Sequence, residues 1–258
     1  MRDEAGSAAI LITEIRRALA ALEHQIVCVD DGSRDGTGDV LAACGRDRNL
    51  LVLRHDRSLG QSAAIRAGVR AAAGGLIATI DGDGQNDPAD LPAMIALHER
   101  ESADGTPVLV MGHRTTRRDT IFKCAASKAA NAIRRSLLHD RTPDSGCGIK
   151  VLDRALFLDL PYFDHMHRFM PALVIREGGR VVSMPVGHRP RTSGRSKYGN
   201  LDRLAVGIFD LFGVAWLMRR RALPPGAVHE PMRAAATARS QQDQVRSQPA
   251  APTHCDVA

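Results

Sequence analysis

The sequence predicts an α/β fold, with a mostly parallel sheet and helices on both of its faces. Between residues 25 and 112, four short apolar segments of strand length alternate with segments of helical periodicity. Such alternation is typical of parallel sheets, because each helix returns the chain to the edge at which the next strand begins. The apolar fraction of 44% in 258 residues is enough for a substantial core, and aromatic residues make up only 3%.

The predicted elements follow one another along the first half of the chain. An amphipathic helix over residues 8–22 comes first, because its apolar positions recur at helical spacing. The predicted strands cover residues 25–30, 50–56, 75–81 and 107–112, and the helices between them cover residues 38–46, 61–73 and 88–100. Thr37 and Ser62 are predicted helix caps, and Pro88 is placed where a first helical turn begins.

The pattern changes after residue 113. Residues 114–135 form a basic helical segment, and residues 145–190 contain further strands and loops. Residues 203–221 form a mostly apolar helix bounded by arginines, and the sequence from residue 222 onward lacks periodicity and is rich in Ala, Pro, Gln and Arg. We therefore predict one domain over residues 1–202, an amphipathic helix over 203–221 and a disordered tail over 222–258.

The charge of the protein indicates the chemical class of its partners, and its cysteine content indicates its cellular compartment. The net charge of +6 and a pI near 9.4 favour anionic partners such as phosphate-bearing ligands, anionic lipid or nucleic acid. Five cysteines without metal-ligand spacing predict reduced thiols in a cytoplasmic protein. The first residues do not resemble a signal peptide. The sequence contains no run of about 18 uncharged apolar residues, so no transmembrane span is predicted.

Two predicted strands end in clusters of aspartates. The segments "VCVDDGSRDGT" and "ATIDGDGQNDP" place Asp30, Asp31, Asp81 and Asp83 at carboxyl ends of strands, where ligands bind in open α/β sheets. Because residues two apart in an extended chain point the same way, Asp81 and Asp83 can converge on one cation, and carboxylates suit Mg²⁺ or Mn²⁺. Gln85 is a candidate for a further oxygen ligand.

A D-x-D pattern alone is weak evidence, because Asp and Gly together more often mark a tight turn. A calcium-binding EF-hand loop is excluded at both clusters. Starting from Asp81, the closing glutamate position is Pro92, and starting from Asp31 it is Ala42.

The combination of segments is more specific than any one of them. "VDDGSRDGT", "LGQSAAIRAGVRAAAGG" and "DGDGQNDP", in this order and spacing, resemble family 2 glycosyltransferases of the GT-A fold. "GHR", "SKAAN", "DSGCGIK" and "RPRTSGRSKYG" resemble the branch that makes polyprenyl-phosphate sugars, as dolichol-phosphate mannose synthases do. The resemblance covers about residues 2–221 and implies a GT-A-type, Rossmann-like sheet, a nucleotide-sugar donor and a divalent metal, Mg²⁺ or Mn²⁺.

The resemblance implies roles on the donor side of the site. Asp30 and Asp31 match the acidic pair that contacts the donor nucleotide. Asp81 and Asp83 match the D-x-D that holds the metal on the sugar-nucleotide diphosphate, and Gln85 matches a glutamine that joins this metal shell.

The resemblance also implies an acceptor site and a closing loop. Arg114, Lys123 and Ser127 match groups that receive the lipid phosphate, although a basic helix face exposed to solvent is the usual meaning of such a segment. Asp144 matches an acid that orients the acceptor, and a role in a turn or helix cap is an equal alternative. The flexible loop that closes over the diphosphate corresponds to a segment that contains Arg191, Ser196 and Lys197. His165 and His167 receive no assignment.

The chemistry implied is an inverting transfer. An oxygen of the polyprenyl phosphate attacks the anomeric carbon, and the nucleoside diphosphate leaves. Because the acceptor is already an anion near neutral pH, a strong general base is less necessary than for a sugar hydroxyl group. Electrostatic stabilisation of the leaving diphosphate, by the metal on Asp81 and Asp83 and by Arg191 and Lys197, is the harder task.

The lipid acceptor raises the question of membrane contact. Residues 204–218 are too short for a comfortable span and include Asp210. A helix in the membrane interface, with Arg219–Arg221 on anionic headgroups, would place the protein on the cytoplasmic face of the membrane. A helix docked on the catalytic domain is the alternative.

The amino-terminal segment departs from the family pattern. Relatives begin with a strand that ends in an acidic motif lining the nucleotide base; residues 3–6 match the end of that motif, with Glu4 at its acid. The strand before it is missing. Either the true start lies further upstream, which we favour, or the protein has lost this strand, which is expected to expose the edges of neighbouring strands and to remove part of the nucleotide pocket.

Other functions remain open on sequence alone. A GT-A remnant without catalytic activity could serve as a scaffold, and a family 2 transferase could use a different acceptor. A phosphotransferase with an aspartyl nucleophile usually carries its D-x-D on the first strand, whereas Asp81 follows earlier strands. A nucleic-acid-binding function is disfavoured by the acid clusters and by the small number of aromatic residues.

Overall fold

The computed structural model describes residues 1–45, 49–114, 134, 136–138, 140, 142–190 and 200–220, with side chains in the last helix from residue 207 onward. These residues belong to one compact unit, Met1–Leu223. The helices described are α1 (Ala5–Ala18), α2 (Thr37–Cys44), α3 (Gln61–Ala71), α4 (Leu91–Glu101), α5 (Arg154–Asp159), α6 (Met170–Arg176) and α7 (Asn200–Met218). The strands described are β1 (Ile26–Asp30), β2 (Leu50–Arg54), β3 (Leu76–Thr79), β4 (Val108–Arg114), β5 (Lys150–Asp153) and β6 (Arg180–Val186).

The strands of the described residues form two sheets, which corrects the prediction of one mostly parallel sheet. β1 and β2 are a parallel pair, whereas the second sheet has the order β3-β5-β4-β6. In this sheet β5 is antiparallel to both β3 and β4, while β4 and β6 are parallel. The prediction was wrong because periodicity identifies a strand without giving its direction, and β5 enters between two strands that precede it in sequence.

Helices pack on both faces of the larger sheet, as the alternation of side chains along its strands requires. In β4, Val108 and Val110 face a core that α1 and α4 complete, whereas Leu109 and Met111 face a core formed with α3, α5, α6 and α7. All four of these side chains are fully buried. Burial of each such side chain stabilises the fold by about 2 kcal/mol.

The elements predicted over residues 8–112 agree with the observed ones to within a few residues, with differences at two helix starts. The helical segment predicted over residues 114–135 and the predicted tail over 222–258 lie almost wholly outside the described residues. Gly36 and Gly60 precede α2 and α3, so Thr37 and Ser62 lie inside the first turns and the prediction that they are caps was wrong. Pro88 is the first residue of a short 3₁₀ helix directly before α4, at the position predicted for it.

The first residues of the chain lie against the carboxyl end of β1. The backbone nitrogen of Met1 donates to the carbonyl group of Val29 at 2.6 Å, and the N–H of Asp31 donates to the carbonyl group of Met1 at 2.9 Å. A Cβ atom on Gly82, just beyond β3, would lie 2.4 Å from the Cβ of Met1. Met1 therefore lies between the ends of β1 and β3, and the described residues place no strand between these two strands.

One face of α7 packs on the rest of the protein. Val214 is buried in the second core, and Asp210 Oδ2 lies 3.1 Å from the Nδ1 of His165. The helix is thus docked on the domain, which was one of the two alternatives predicted for it. None of the described helices combines the length and the hydrophobicity of a membrane span.

The opposite side of α7 is apolar and exposed. Phe209, Phe212 and Trp216 are 78%, 62% and 59% exposed, and Ile208 is 46% exposed. We call these four residues the apolar face of α7. The guanidinium group of Arg220 lies 5.1 Å from the ring centre of Trp216, so this face ends in a cation.

Candidate active site

The carboxyl end of β3 and the segment that enters β5 form the floor of the candidate site. The antiparallel register of β3 and β5 pairs Thr79 with Lys150. Continuing this register by two residues brings Asp81 opposite Gly148, and the two residues are in contact. The hydroxyl group of Thr79 donates to the carbonyl group of Gly148 at 2.9 Å and holds the two segments together. Because residues two apart on a strand share a face, Lys150 and Asp81 lie on the same side of the sheet.

Asp81 is the half-buried carboxylate at the centre of this region. Gln61, in the first turn of α3, donates its Nε2 to Asp81 Oδ1 at 2.8 Å. Burial raises the pKa of Asp81, the ammonium group of Lys150 opposes this rise, and the carboxylate of Asp83 adds to it. The negative charges of Asp81 and Asp83 therefore disfavour each other when both groups are ionised.

Lys150 is a buried cation that the sequence analysis did not single out. It is 4% exposed, and its Nζ donates to the carbonyl group of Cys147. Burial lowers the pKa of Lys150, and Asp81 is the neighbour that raises it most. A lysine inside the apolar segment "GIKVL" was the available sequence signal, because a charge in a buried strand needs a partner.

Arg114 and Asp144, both predicted for the acceptor side, form a bidentate ion pair. Arg114 Nε lies 2.7 Å from Asp144 Oδ2, and Nη2 lies 2.9 Å from Oδ1. The two side chains are 21% and 8% exposed. The hydrogen bonds to Asp144 raise the pKa of Arg114, with Asp81 among the smaller contributors. The pair therefore fixes the orientation of a guanidinium group near Asp81.

Asp31 organises the loop that leads into α3. Its carboxylate accepts hydrogen bonds from His55 Nδ1 at 2.8 Å, Ser58 Oγ at 2.7 Å, the N–H of Leu59 at 2.8 Å and the N–H of Gly60 at 3.0 Å. Burial alone would raise the pKa of Asp31, but these hydrogen bonds outweigh burial and lower the pKa.

Asp30 is fully buried at the end of β1. Its Oδ1 accepts a hydrogen bond from the N–H of Ser33 at 3.0 Å, and its Oδ2 lies 3.4 Å from Arg54 Nε. Gly32 is required beside this pair, because its φ is +69° and a Cβ atom would lie 2.6 Å from the backbone of Arg57. Because both carboxylates, Asp30 and Asp31, have partners within the protein, their contact with a nucleotide stays a prediction.

Glu4 is buried directly before α1, with 6% of its surface exposed. Its N–H donates to Thr37 Oγ1 at 2.9 Å, and its carbonyl group accepts a hydrogen bond from the N–H of Ser7. The hydroxyl group of Ser7 donates to the carbonyl group of Gly82 at 2.9 Å, which joins the start of α1 to the D-x-D segment. The contact of Glu4 with a nucleotide base stays a prediction.

The segment after Asp83 is anchored to the chain beyond β6. The N–H of Gln85 donates to Asp83 Oδ1 at 3.2 Å, and the carbonyl group of Gln85 accepts a hydrogen bond from the N–H of Arg189 at 2.8 Å. The guanidinium group of Arg189 contacts Asp87 Oδ1 and Glu14 Oε2, each at 2.8 Å. Arg189 therefore connects the loop that carries the D-x-D to α1.

His167 lies under the first turn of α3, and its Nδ1 is 2.8 Å from the hydroxyl oxygen of Ser62. Burial lowers the pKa of His167 to about 3, with Lys150 contributing, so the ring is neutral at physiological pH. Sequence spacing could not reveal this contact, because the two residues are 105 positions apart.

Five of the predicted site residues lie outside the part of the chain that the structure describes: Lys123, Ser127, Arg191, Ser196 and Lys197. Of the described candidates, the structure brings together Asp81, Asp83, Arg114 and Asp144 around the end of β3.

The carboxylates present fit a divalent cation that arrives with its own phosphate ligands. Within the described ranges, no three His, Cys, Asp or Glu side chains are grouped so as to hold a metal ion. Mg²⁺ commonly takes one or two carboxylates from the protein and completes its coordination with water and substrate phosphates. Asp81 and Asp83 match this arrangement, and their oxygen atoms suit Mn²⁺ as well.

Comparison with protein families gives a match over residues 8–160 to the model described as "Glycosyl transferase family 2". Among curated proteins, the dodecaprenyl-phosphate galacturonate synthase of Rhizobium johnstonii is 35% identical over 86% of this chain and 66% of its own length. The undecaprenyl-phosphate 4-deoxy-4-formamido-L-arabinose transferase of Aeromonas hydrophila is 30% identical over 81% of this chain and 64% of its own length. The chain thus spans slightly under two thirds of the length of these relatives.

Solved structures share the fold at lower sequence identity. The mannosyl-3-phosphoglycerate synthase of Rubrobacter xylanophilus superimposes with a TM-score of 0.63 at 18% identity, over 88% of this chain and 75% of that chain. The glucosyl-3-phosphoglycerate synthase of Mycobacterium tuberculosis, in complex with Mn²⁺, UDP-glucose and glycerol 3-phosphate, gives a TM-score of 0.59 at 17% identity, over 86% and 79% of the two chains.

Proposed function

Because the chain belongs to glycosyl transferase family 2, we propose that it transfers a sugar from a nucleotide sugar to a polyprenyl-phosphate lipid. The observation that carries the proposal is the pair of carboxylates, Asp81 and Asp83, held at the end of β3 beside the Arg114–Asp144 ion pair. Two similar curated proteins are named for products or acceptors that are polyprenyl phosphates, which supports the choice of acceptor.

Asp81 and Asp83 would hold Mg²⁺ or Mn²⁺ on the diphosphate of the donor. When bound, the metal neutralises charge on the diphosphate as it leaves. Gln85 is proposed as a further ligand through its carbonyl oxygen, because its Nε2 lies toward the backbone carbonyl group of Arg189, at 3.5 Å. Glu4, Asp30 and Asp31 are proposed to contact the nucleotide of the donor.

Arg114 is proposed to receive the acceptor phosphate together with Lys123 and Ser127. Its Nε and Nη2 are used by Asp144, so the carboxylate orients the guanidinium group and leaves Nη1 for a phosphate oxygen. Asp144 is therefore a positioning residue for the acceptor site.

The phosphate oxygen attacks the anomeric carbon as the bond to the nucleoside diphosphate breaks, with inversion. The attacking atom is already anionic, so the protein does not need to remove a proton from it. Arg191, Ser196 and Lys197 would contact the leaving diphosphate, where fixed cations and hydrogen-bond donors stabilise developing charge.

The proposal is tested by incubating the protein with Mn²⁺, a panel of nucleotide sugars and undecaprenyl phosphate, and measuring sugar transferred to lipid. We expect metal-dependent formation of a polyprenyl-phosphate sugar from one or a few donors. Donor binding without transfer to any acceptor would favour a scaffold function. Transfer to 3-phosphoglycerate but not to lipid would contradict the proposed acceptor.

A lipid acceptor requires contact with a membrane, and we propose that the apolar face of α7 makes it. The inward side of α7 is docked on the domain while the outward side exposes aromatic residues, so docking and interfacial binding are compatible. Arg219 and Arg220 follow this face and suit anionic headgroups, and aromatic rings are favoured at the membrane interface. A position on the cytoplasmic face of the membrane stays a prediction.

Replacing Phe209, Phe212 and Trp216 by serine is expected to abolish most binding to vesicles of phosphatidylglycerol and phosphatidylcholine, because it removes the exposed apolar area. Flotation in a density gradient measures the bound fraction. Ile10→Ser with Leu22→Ser is the matched control, since these side chains are 59% and 41% exposed elsewhere on the surface. Equal flotation of the triple variant and the wild type would contradict the proposal.

A further inference from the structure

The carboxylate of Asp81 lies directly on the backbone of Gly148. A Cβ atom on Gly148 would be 2.2 Å from both Cγ and Oδ2 of Asp81. The β3–β5 register explains this contact, because it places the two residues opposite each other just beyond the paired residues Thr79 and Lys150. The hydrogen bond from the hydroxyl group of Thr79 to the carbonyl group of Gly148 fixes the position of this glycine relative to β3.

The second contact on this carboxylate comes from the opposite direction. Gln61 Nε2 donates to Asp81 Oδ1 at 2.8 Å from the first turn of α3. The position of this turn is set by Asp31, which accepts hydrogen bonds from the N–H groups of Leu59 and Gly60 immediately before it. Asp31, in the first acid cluster, thus helps to position Gln61, which binds Asp81 in the second cluster.

We propose that Gly148 and Gln61 are positioning residues that together set the orientation of the Asp81 carboxylate for a divalent cation. This inference rests on the proposed function. Gly148 has no side chain and so admits the carboxylate against its backbone. Gln61 takes one lone pair of Oδ1, and the remaining lone pairs of the carboxylate are proposed to serve the metal. Partners that orient a ligand in this way commonly change metal affinity by about tenfold or more when removed.

Gly148 offers a sharp test, because the predicted clash concerns a side chain and not the fold. Its φ is not in the left-handed region, and the atoms that an added methyl group would meet belong to the flexible Asp81 side chain. Gly148→Ala is therefore expected to leave the fold intact and to push the carboxylate aside. Gly146→Ala, in the same loop, is the matched control, because its nearest neighbour would be 3.6 Å away.

Gln61→Leu removes the second contact without adding bulk near Asp81. Its matched control is Gln25→Leu, because Gln25 also makes one hydrogen bond, at 3.0 Å to the N–H of Ala73, far from the site.

The measurement is the dissociation constant of Mn²⁺ in the presence of UDP, from the electron paramagnetic resonance signal of free Mn²⁺, with thermal melts of every variant. We expect Gly148→Ala and Gln61→Leu each to weaken Mn²⁺ binding by about tenfold. The double variant should lose less than the product of the two effects, because both act on one carboxylate. Both controls should bind Mn²⁺ as the wild type does.

The possible failures are distinguishable. Wild-type binding of Mn²⁺ together with unchanged binding in Gln61→Leu and Gly148→Ala would overturn the positioning role and leave the proposed function standing. If Gly148→Ala melts at a lower temperature than the wild type, unchanged Mn²⁺ binding in Gln61→Leu alone would overturn the positioning role. Absence of Mn²⁺ binding in the wild type, with UDP and with GDP, would overturn the metal assignment and this inference together.

Discussion

Asp83→Asn is expected to lower sugar transfer to polyprenyl phosphate by about a thousandfold while leaving the protein folded. The substitution keeps the shape of the side chain but removes one of the two negative charges proposed to hold the metal. Loss of a group that stabilises charge in the transition state commonly costs a hundredfold to a thousandfold in rate, and the metal itself is worth several kcal/mol. Initial rates at saturating Mn²⁺ give the effect.

The control for this prediction is Asp39→Asn, an exposed aspartate in the first turn of α2. It changes the charge of the protein by the same amount at a distance from the end of β3. Transfer by the Asp83 variant at a rate close to that of the Asp39 variant would reject the metal assignment.

Asp144→Ala is expected to destabilise the protein by about 3 kcal/mol. Its partner Arg114 would remain largely buried without the carboxylate that accepts two of its hydrogen bonds, and removing one member of a buried ion pair costs about 3–5 kcal/mol. The lower end of this range is expected because the Arg114 side chain is 21% exposed, so water partly screens its charge. Urea denaturation measures the loss.

A double variant separates the effect of an unpaired buried charge on stability from the effect of lost packing. Arg114→Met combined with Asp144→Leu removes both charges and should be less destabilised than Asp144→Ala alone, because no buried charge is left unpaired. Asp104→Ala is the comparison for an exposed pair, since Asp104 and Arg180 are 57% and 47% exposed, and we expect little change in the denaturation midpoint. A loss for Asp144→Ala no larger than for Asp104→Ala would contradict a positioning role for the pair.

Local sequence patterns were sufficient to predict the strands and helices of the first half and the location of the D-x-D at a strand end. Periodicity and turn residues carry this information, because they reflect which residues of one segment are buried. The direction of β5 could not be predicted in this way. It depends on the partners that β5 finds, β3 and β4, rather than on the residues within β5.

The same limit applies within the site. Asp81 was found from its own motif, but Gln61, Gly148 and Lys150 matter because of contacts with it across the fold. Gly148 in particular has no signal of its own, since a glycine in "SGCGIK" fits an ordinary turn. The antiparallel register of β3 and β5, which the sequence did not predict, is what places it under the carboxylate.

Asp31 shows how a motif can be located correctly while its contacts stay unknown. The acidic pair was expected to face a nucleotide, yet the carboxylate of Asp31 accepts four hydrogen bonds from the loop before α3. Those donors lie 24 to 29 residues further along the chain, and nothing in the local pattern "VDDGS" specifies them.

The claim on which the proposed function depends is that Asp81 and Asp83 share one divalent cation with a nucleoside diphosphate. Anomalous diffraction from crystals grown with Mn²⁺ and UDP tests it most directly. The predicted result is a manganese peak within about 2–2.6 Å of a carboxylate oxygen of Asp81, of a carboxylate oxygen of Asp83 and of a phosphate oxygen. A diphosphate bound with manganese elsewhere, and both aspartates turned away from it, would contradict the claim.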